Sequence, residues 1–155
     1  MIRIIPLLLL FITGYLSAQS DEERLVKNTI ETFFDGFHKG DTTVMRSVMH
    51  DRLVMQTAYK NKEGNDVLTD RQDALKLVEA IANRASDQKW DERLLDFSIL
   101  IDANMALAWT PYEFWLNDEF LHCGVNSFQL FKNSGQWKII YLIDTRRRSD
   151  CRKTD

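Results

Sequence analysis

Five large apolar residues between Asp21 and Gly40 recur at the spacing of one helix face: Val26, Ile30, Phe33, Phe34 and Phe37. Three of them are phenylalanines, so the stripe is too wide and too apolar to face water. It must lie on a broad apolar surface. Ser20-Asp21-Glu22-Glu23 has the Ser-x-x-Glu form of a capping box, and Gly40 follows His38 and Lys39 as a stop signal. The pattern predicts a helix over 21–39.

The surface it needs comes later in the chain. Asp41 is placed to cap a short second helix carrying Val44, Met45, Val48 and Met49, ended by His50. Leu53–Tyr59 alternates as a strand, and 61–65 reads as a turn. Thr69-Asp70-Arg71-Gln72 looks like a second capping box, opening a helix to about Asn83 with Ala74, Leu75, Leu77, Val78 and Ile81 as its buried stripe. Four strands follow: Leu94–Ile101, Met105–Leu116, Phe120–Phe131 and Trp137–Thr145. Pro111 marks an edge position or a bulge. The order α-α-β-α-β-β-β-β predicts an α+β domain whose antiparallel sheet curls around the first helix. Where the helix does not fill the curl, a pocket remains.

The 155 residues suit one domain, and 45% hydrophobic with 28% charged residues is an ordinary globular balance. Met1-Ile2-Arg3, the apolar run Ile4–Ile12 and small residues ending at Ala18 have the form of a secretory leader. The run is too short to span a bilayer. Leu16 is larger than the usual residue at its place, which leaves an uncleaved anchor as the alternative. The reading is a signal peptide over 1–18, a domain over 19–148 and a tail over 149–155. The protein is expected to be exported, periplasmic or secreted, from a bacterium, with no stable membrane insertion after cleavage. A chain of net charge −3 whose only basic run is Arg146-Arg147-Arg148 with Arg152-Lys153 gives no nucleic-acid reading. Cys123 and Cys151 are an even pair in an oxidising compartment. A disulfide between them would close a loop of about 28 residues and contribute roughly 3–4 kcal/mol on chain-entropy grounds.

The segments "IETFFDGFHKGD" (30–41), "MHDRLVMQT" (49–57), "ALAWTPYEFWL" (106–116), "HCGVNSFQLF" (122–131) and "GQWKIIYLIDTRRR" (135–148) resemble the nuclear transport factor 2-like superfamily. The chain is most similar there to the small exported SnoaL-like and lumazine-binding-like bacterial members. The resemblance implies a cone-shaped fold with an apolar pocket and homodimers formed through the sheet. It does not imply one function, because relatives include isomerases, dehydratases, cyclases and non-catalytic binding modules.

The histidines His38, His50 and His122 are far apart, which gives no metal reading, and no phosphate loop or nucleophile elbow points to a cofactor. Along Phe120–Phe131, one face carries Phe120, His122, Gly124, Asn126, Phe128 and Leu130, and this face is expected to line the core and pocket. His122 and Asp144 are the candidate acid/base pair. The hairpin at 133–135 decides whether they meet. A three-residue loop pairs Lys132 with Gln136 and sets His122 opposite Arg146 and Gly124 opposite Asp144. A two-residue turn moves the register by one and sends Asp144 to the other face. The Asn-x-Gly pattern favours the first. Candidate ligand-binding residues are His50, Met55, Thr57, Tyr59, Tyr112, Asn126 and Arg146. Asn126 cannot take a proton where an enzyme would want a base. The leading expectation is a binding protein for a small, partly apolar molecule. Two alternatives stand beside it: a lyase or isomerase using His122 and Asp144 on a small cyclic or carbonyl substrate, and a sheet-mediated dimer or interaction module without ligand.

Overall fold

A computed structural model describes the backbone of residues 6–151 and the side chains of residues 21–151. The leader expected over 1–18 and its cleavage after Ala18 fall on residues outside that side-chain description, and residues 152–155 of the expected tail lie outside it altogether.

The elements are α1 (Pro6–Lys39), α2 (Thr42–Val48), β1 (Met49–Lys60), β2 (Asp66–Leu68), β3 (Gln72–Asp73), α3 (Leu75–Ala82), β4 (Trp90–Leu94), β5 (Ser98–Asp102), β6 (Met105–Leu116), β7 (Glu119–Asn133) and β8 (Gln136–Arg146). One curved sheet runs β2-β1-β8-β7-β6-β4, with β3 also beside β1 and β5 beside β6. Every pairing is antiparallel except β1 with β8. The α+β class expected from sequence is the class observed.

The stripe on α1 does what its pattern requires. Val26, Ile30, Phe33, Phe34 and Phe37 are all buried, against Ala106, Ala108, Phe128, Leu130, Ile139 and Leu142 of the sheet. Phe33, Phe34 and Phe128 meet edge to face. The C-terminal end of α1 is closed by Arg84, whose guanidinium donates to the carbonyls of Phe37 (3.2 Å) and His38 (3.0 Å). Asp41 caps α2 as expected, accepting from the backbone of Thr43 and Val44.

Three local expectations are corrected. Helix α1 runs straight through the Ser20–Glu23 box, and Glu22 accepts from Lys132 and Trp137 on the sheet. Thr69 does not open α3. Its hydroxyl accepts from the Thr57 backbone on β1, and Asp73 accepts from Leu75 at the true helix start. Leu75 is consequently exposed, while Ala74, Val78 and Ile81 form the buried stripe. The single strand expected at 94–101 is two, β4 and β5, paired in succession along β6. Pro111 falls where the two meet, its carbonyl accepting from Leu95.

Gly124 fixes how β7 meets its neighbours. A Cβ there would stand 1.7 Å from the carbonyl oxygen of Thr145 and 2.9 Å from a ring carbon of Tyr112. Tyr112 is the register partner of Gly124, and its ring passes over the bare backbone to reach β8. Cys123 beside it is bonded to Cys151, with Cα atoms 5.8 Å apart. Gly124→Ala is expected to lower stability by about 3 kcal/mol, read from the urea midpoint at constant m-value. A loss below about 1 kcal/mol would show this three-strand contact to be loose.

Candidate functional site

A cavity of about 440 Å³ lies between the helices and the concave face of the sheet. Phe33, Phe34 and Phe37 of α1, Trp90 of β4 and Phe114 of β6 give it an aromatic wall, and Leu77 and Ala80 of α3 flank it. Four polar residues face it from three strands: Glu92 from β4, Asn126 from β7, and Asp144 and Arg146 from β8. His122 adds a ring stacked on Phe114 at 5.0 Å.

The β8 residues reach this face by a route that neither expected register describes. The hairpin is the two-residue form, with Asn133 paired to Gln136 and Ser134 and Gly135 both at positive φ. Alone, it would turn Asp144 outward. Between Leu130 paired with Ile139 and Gln129 paired with Tyr141, Ile140 is an extra residue. This bulge exchanges the two faces of β8. Trp137 and Ile139 are buried before it, and Leu142 and Asp144 after it. Asp144 then lies opposite Asn126, rather than Gly124, and Arg147 pairs with Cys123. A second bulge lies between Phe114 paired with His122 and Trp115 paired with Phe120. It turns Phe120 away from the cavity, against expectation. Phe120 packs on Trp115, and Leu121 lines the cavity instead.

Asp144 is held on every side. Thr57 donates its hydroxyl to Oδ1 at 2.6 Å, Arg146 donates Nε to Oδ2 at 2.6 Å, and the Tyr112 hydroxyl lies 3.1 Å from Oδ2. That hydroxyl is also 3.0 Å from the carbonyl of Thr145, so its single proton serves one of two acceptors. Burial, with the charges of Asp144 and Glu92 nearby, raises the Tyr112 phenol above its usual range.

Glu92 is a different case. Its Oε1 accepts from Asn126 Nδ2 at 2.7 Å, and Asn126 is itself 3% exposed. Oε2 has no hydrogen-bond partner among the described residues. Burial pushes this carboxyl up to about 8 against the Asn126 hydrogen bond, with the charge of Asp144 raising it further and that of Arg146 lowering it. Glu92 is therefore mostly a neutral acid at pH 7. Burial, and then the Arg146 charge, pulls His122 down to about 4, so its ring is neutral there too. His38 Nε2 lies 2.9 Å from the Glu92 backbone N and 3.0 Å from its O, docking the strand onto α1, and burial lowers its pKa.

Of the candidates from sequence, Met55, His122, Asn126, Asp144 and Arg146 line the cavity. Thr57 and Tyr112 stand behind Asp144 as its donors. His122 and Asp144 share the cavity, and no hydrogen bond joins them. His50 is outside the cavity, its Nδ1 accepting from the Arg52 backbone; Tyr59 pairs with Arg146 in register but stays 38% exposed and outside the lining. Glu92 was missed, because Lys89-Trp90-Asp91-Glu92-Arg93 reads as a polar loop. The alternation of Trp90, Glu92 and Leu94 was the available signal. A wider trough of about 910 Å³ lies between α1 and β4–β5 and shares Phe34 and Glu92 with the cavity. Its rim is charged residues such as Glu23, Arg24 and Lys27. We take the aromatic-walled cavity as the candidate site, since it is the more apolar of the two and sets Asn126, Asp144 and Arg146 beside Glu92. Among the described residues no cluster of three or more His, Cys, Asp or Glu is arranged for a metal ion.

A domain with this sheet and an aromatic-walled cavity of this kind is a nuclear transport factor 2-like domain. The chain belongs to the family described as "Putative lumazine-binding", which it matches over residues 21–141. Among solved structures it is similar to a nuclear transport factor 2-like protein of unknown function from Pseudomonas putida KT2440 (TM-score 0.68, 12% identity, 84% of this chain and 90% of that one). It is also similar to a nuclear transport factor 2-like protein from Cytophaga hutchinsonii (TM-score 0.63, 13% identity, 81% and 98% covered). A third is described as a "putative dehydratase" of this fold from Streptomyces avermitilis (TM-score 0.60, 9% identity, 84% and 99% covered). At these identities the likeness shows the fold alone. Comparison with curated proteins finds no match.

Two of the shifted groups, Glu92 and His122, act on stability in opposite directions. Glu92 is raised, so its contribution is full below about 4.5 and is lost as pH rises toward 8. His122 is lowered, so its contribution is full above about 6.5 and is lost as pH falls toward 4. Thermal midpoints across pH 4–9 are expected to show Glu92→Gln flattening the alkaline fall only, and His122→Asn the acid fall only. An unchanged alkaline limb in Glu92→Gln would contradict the Glu92 assignment.

Proposed function

We propose that the protein binds a small, flat, partly apolar molecule in this cavity. The observation that carries the reading is a space of about 440 Å³ with aromatic walls and a few polar groups gathered on one side. The family description, lumazine-binding, is in keeping with a cyclic ligand of this size. Binding is favoured over a lyase or isomerase device built on His122 and Asp144. Both oxygens of Asp144 are already engaged, and His122 has no hydrogen bond to it.

We place this binding outside the cytoplasm. The leader pattern over 1–18 and the Cys123–Cys151 bond support export. No helix among the described residues is long and apolar enough to cross a membrane. The outer face of the sheet favours pairing with a second copy: Leu100, Met105 and Trp109 share that face and are 66%, 58% and 50% exposed.

Ala80 is exposed and lines the cavity on α3, so a larger side chain there has room outside the core. Ala80→Trp is expected to obstruct the cavity with little change in melting temperature. Mass spectrometry of small molecules released from protein purified out of its own periplasm or medium should find a ligand with the native chain and at least tenfold less with Ala80→Trp. Equal recovery from both would exclude this cavity as the site.

A further inference from the structure

The cavity's polar wall is unequal in what it offers a ligand. Both oxygens of Asp144 are already engaged, Oδ1 by Thr57 and Oδ2 by Arg146, with the Tyr112 hydroxyl beside Oδ2. Arg146 gives Asp144 only its Nε, and the two terminal nitrogens of the guanidinium have no hydrogen-bond partner among the described residues. Arg146 lies in the cavity lining with its side chain 53% exposed, so that free end of the fork is open to a ligand. Glu92 lines the same cavity, with Oε1 fixed by Asn126 and Oε2 without a hydrogen-bond partner among the described residues. The free groups are therefore mostly donors, provided Glu92 carries its proton. Asp144 and Arg146 cancel in charge, so an incoming anion meets no unpaired negative group. Aromatic rings line the other side.

Resting on the reading of this cavity as a ligand site, we infer that its ligand is a flat aromatic monocarboxylate, its carboxylate gripped between the Arg146 fork and the Glu92 carboxylic acid. Arginine matches a carboxylate edge with paired N–H groups, and an acid donating to a carboxylate makes a strong charge-assisted hydrogen bond. The charged and titratable groups around Glu92 are Asp144 and Arg146 from β8, Tyr112 from β6, His122 from β7 and His38 from α1, and, across the trough it shares, Lys27, Glu31 and Asp35 from α1 and Asp96 after β4. On β4 itself, Asp91 and Arg93 pair with each other. Between pH 6.5 and 10 Arg146 stays charged and both histidines are neutral, so Glu92 is the group in contact with the ligand whose ionisation changes binding. Ionised Glu92 would repel the ligand carboxylate, so affinity must fall as pH rises past about 8.

The test is calorimetric titration of the folded, disulfide-bonded protein with 2-naphthoate and with its uncharged methyl ester. Wild type is expected to bind the acid at least tenfold more tightly than the ester at pH 7. Affinity for the acid should then drop about tenfold per pH unit above 8. Glu92→Gln keeps a donor and cannot ionise; it should bind within about threefold of wild type at pH 7 and lose the alkaline fall. Arg146→Lys keeps the charge without the fork and should lose at least tenfold. Ester binding as tight as acid binding, or an unchanged alkaline fall in Glu92→Gln, overturns the carboxylate inference and leaves the pocket standing. Binding of neither compound overturns both.

Discussion

The whole arrangement depends on one packing constraint: three phenylalanines of α1 need an apolar surface, and the sheet must curve to supply it. Phe33, Phe34 and Phe37 are buried in the concave face, and the core collects around them. Burying three such side chains contributes on the order of 5–9 kcal/mol, a large share of what holds an ordinary domain together. A curved sheet meets a straight helix along a line rather than everywhere. The residual space between the helices and β4, β7 and β8 is the cavity.

Curvature also decides the chemistry of that space. Gly124 lets Tyr112 cross β7 and hold Asp144, and the bulge at Ile140 turns Asp144 and Arg146 inward. Once Asp144 is committed to Arg146 and the Thr57 hydroxyl, the second carboxyl in the cavity has no cation of its own. Glu92 receives one amide from Asn126 and lies within the field of Asp144. Keeping its proton is the less costly state. The two carboxyls thus divide into a paired anion and a neutral acid. Their roles follow from who their neighbours are, since the two side chains are chemically alike.

Much of this was legible from the residues alone. All five residues of the α1 stripe are buried, because a 3.6-residue period with a wide apolar face has one outcome. The Cys123–Cys151 pair followed from their number and the leader, and alternation along β7 put Asn126 on the face that lines the cavity, whereas Arg146 reaches it by a register other than the expected one. What failed was register. A β-bulge leaves no composition signal when the inserted residue is an ordinary isoleucine, so Ile140 could not be read, and neither could the face change at Leu121. Glu92 was hidden for a related reason: its strand is five residues long and mostly polar, and the feature that makes it matter, Asn126, is 34 residues away.

The central claim is that this cavity holds a neutral carboxylic acid at neutral pH, ready for a ligand. Carbon-13 NMR of protein labelled at the glutamate side-chain carboxyls tests it most directly. The account predicts one carboxyl resonance that titrates near pH 8 and is missing from Glu92→Gln. If every glutamate titrates within the ordinary range near 4.5, the cavity does not hold Glu92 as an acid and the account fails.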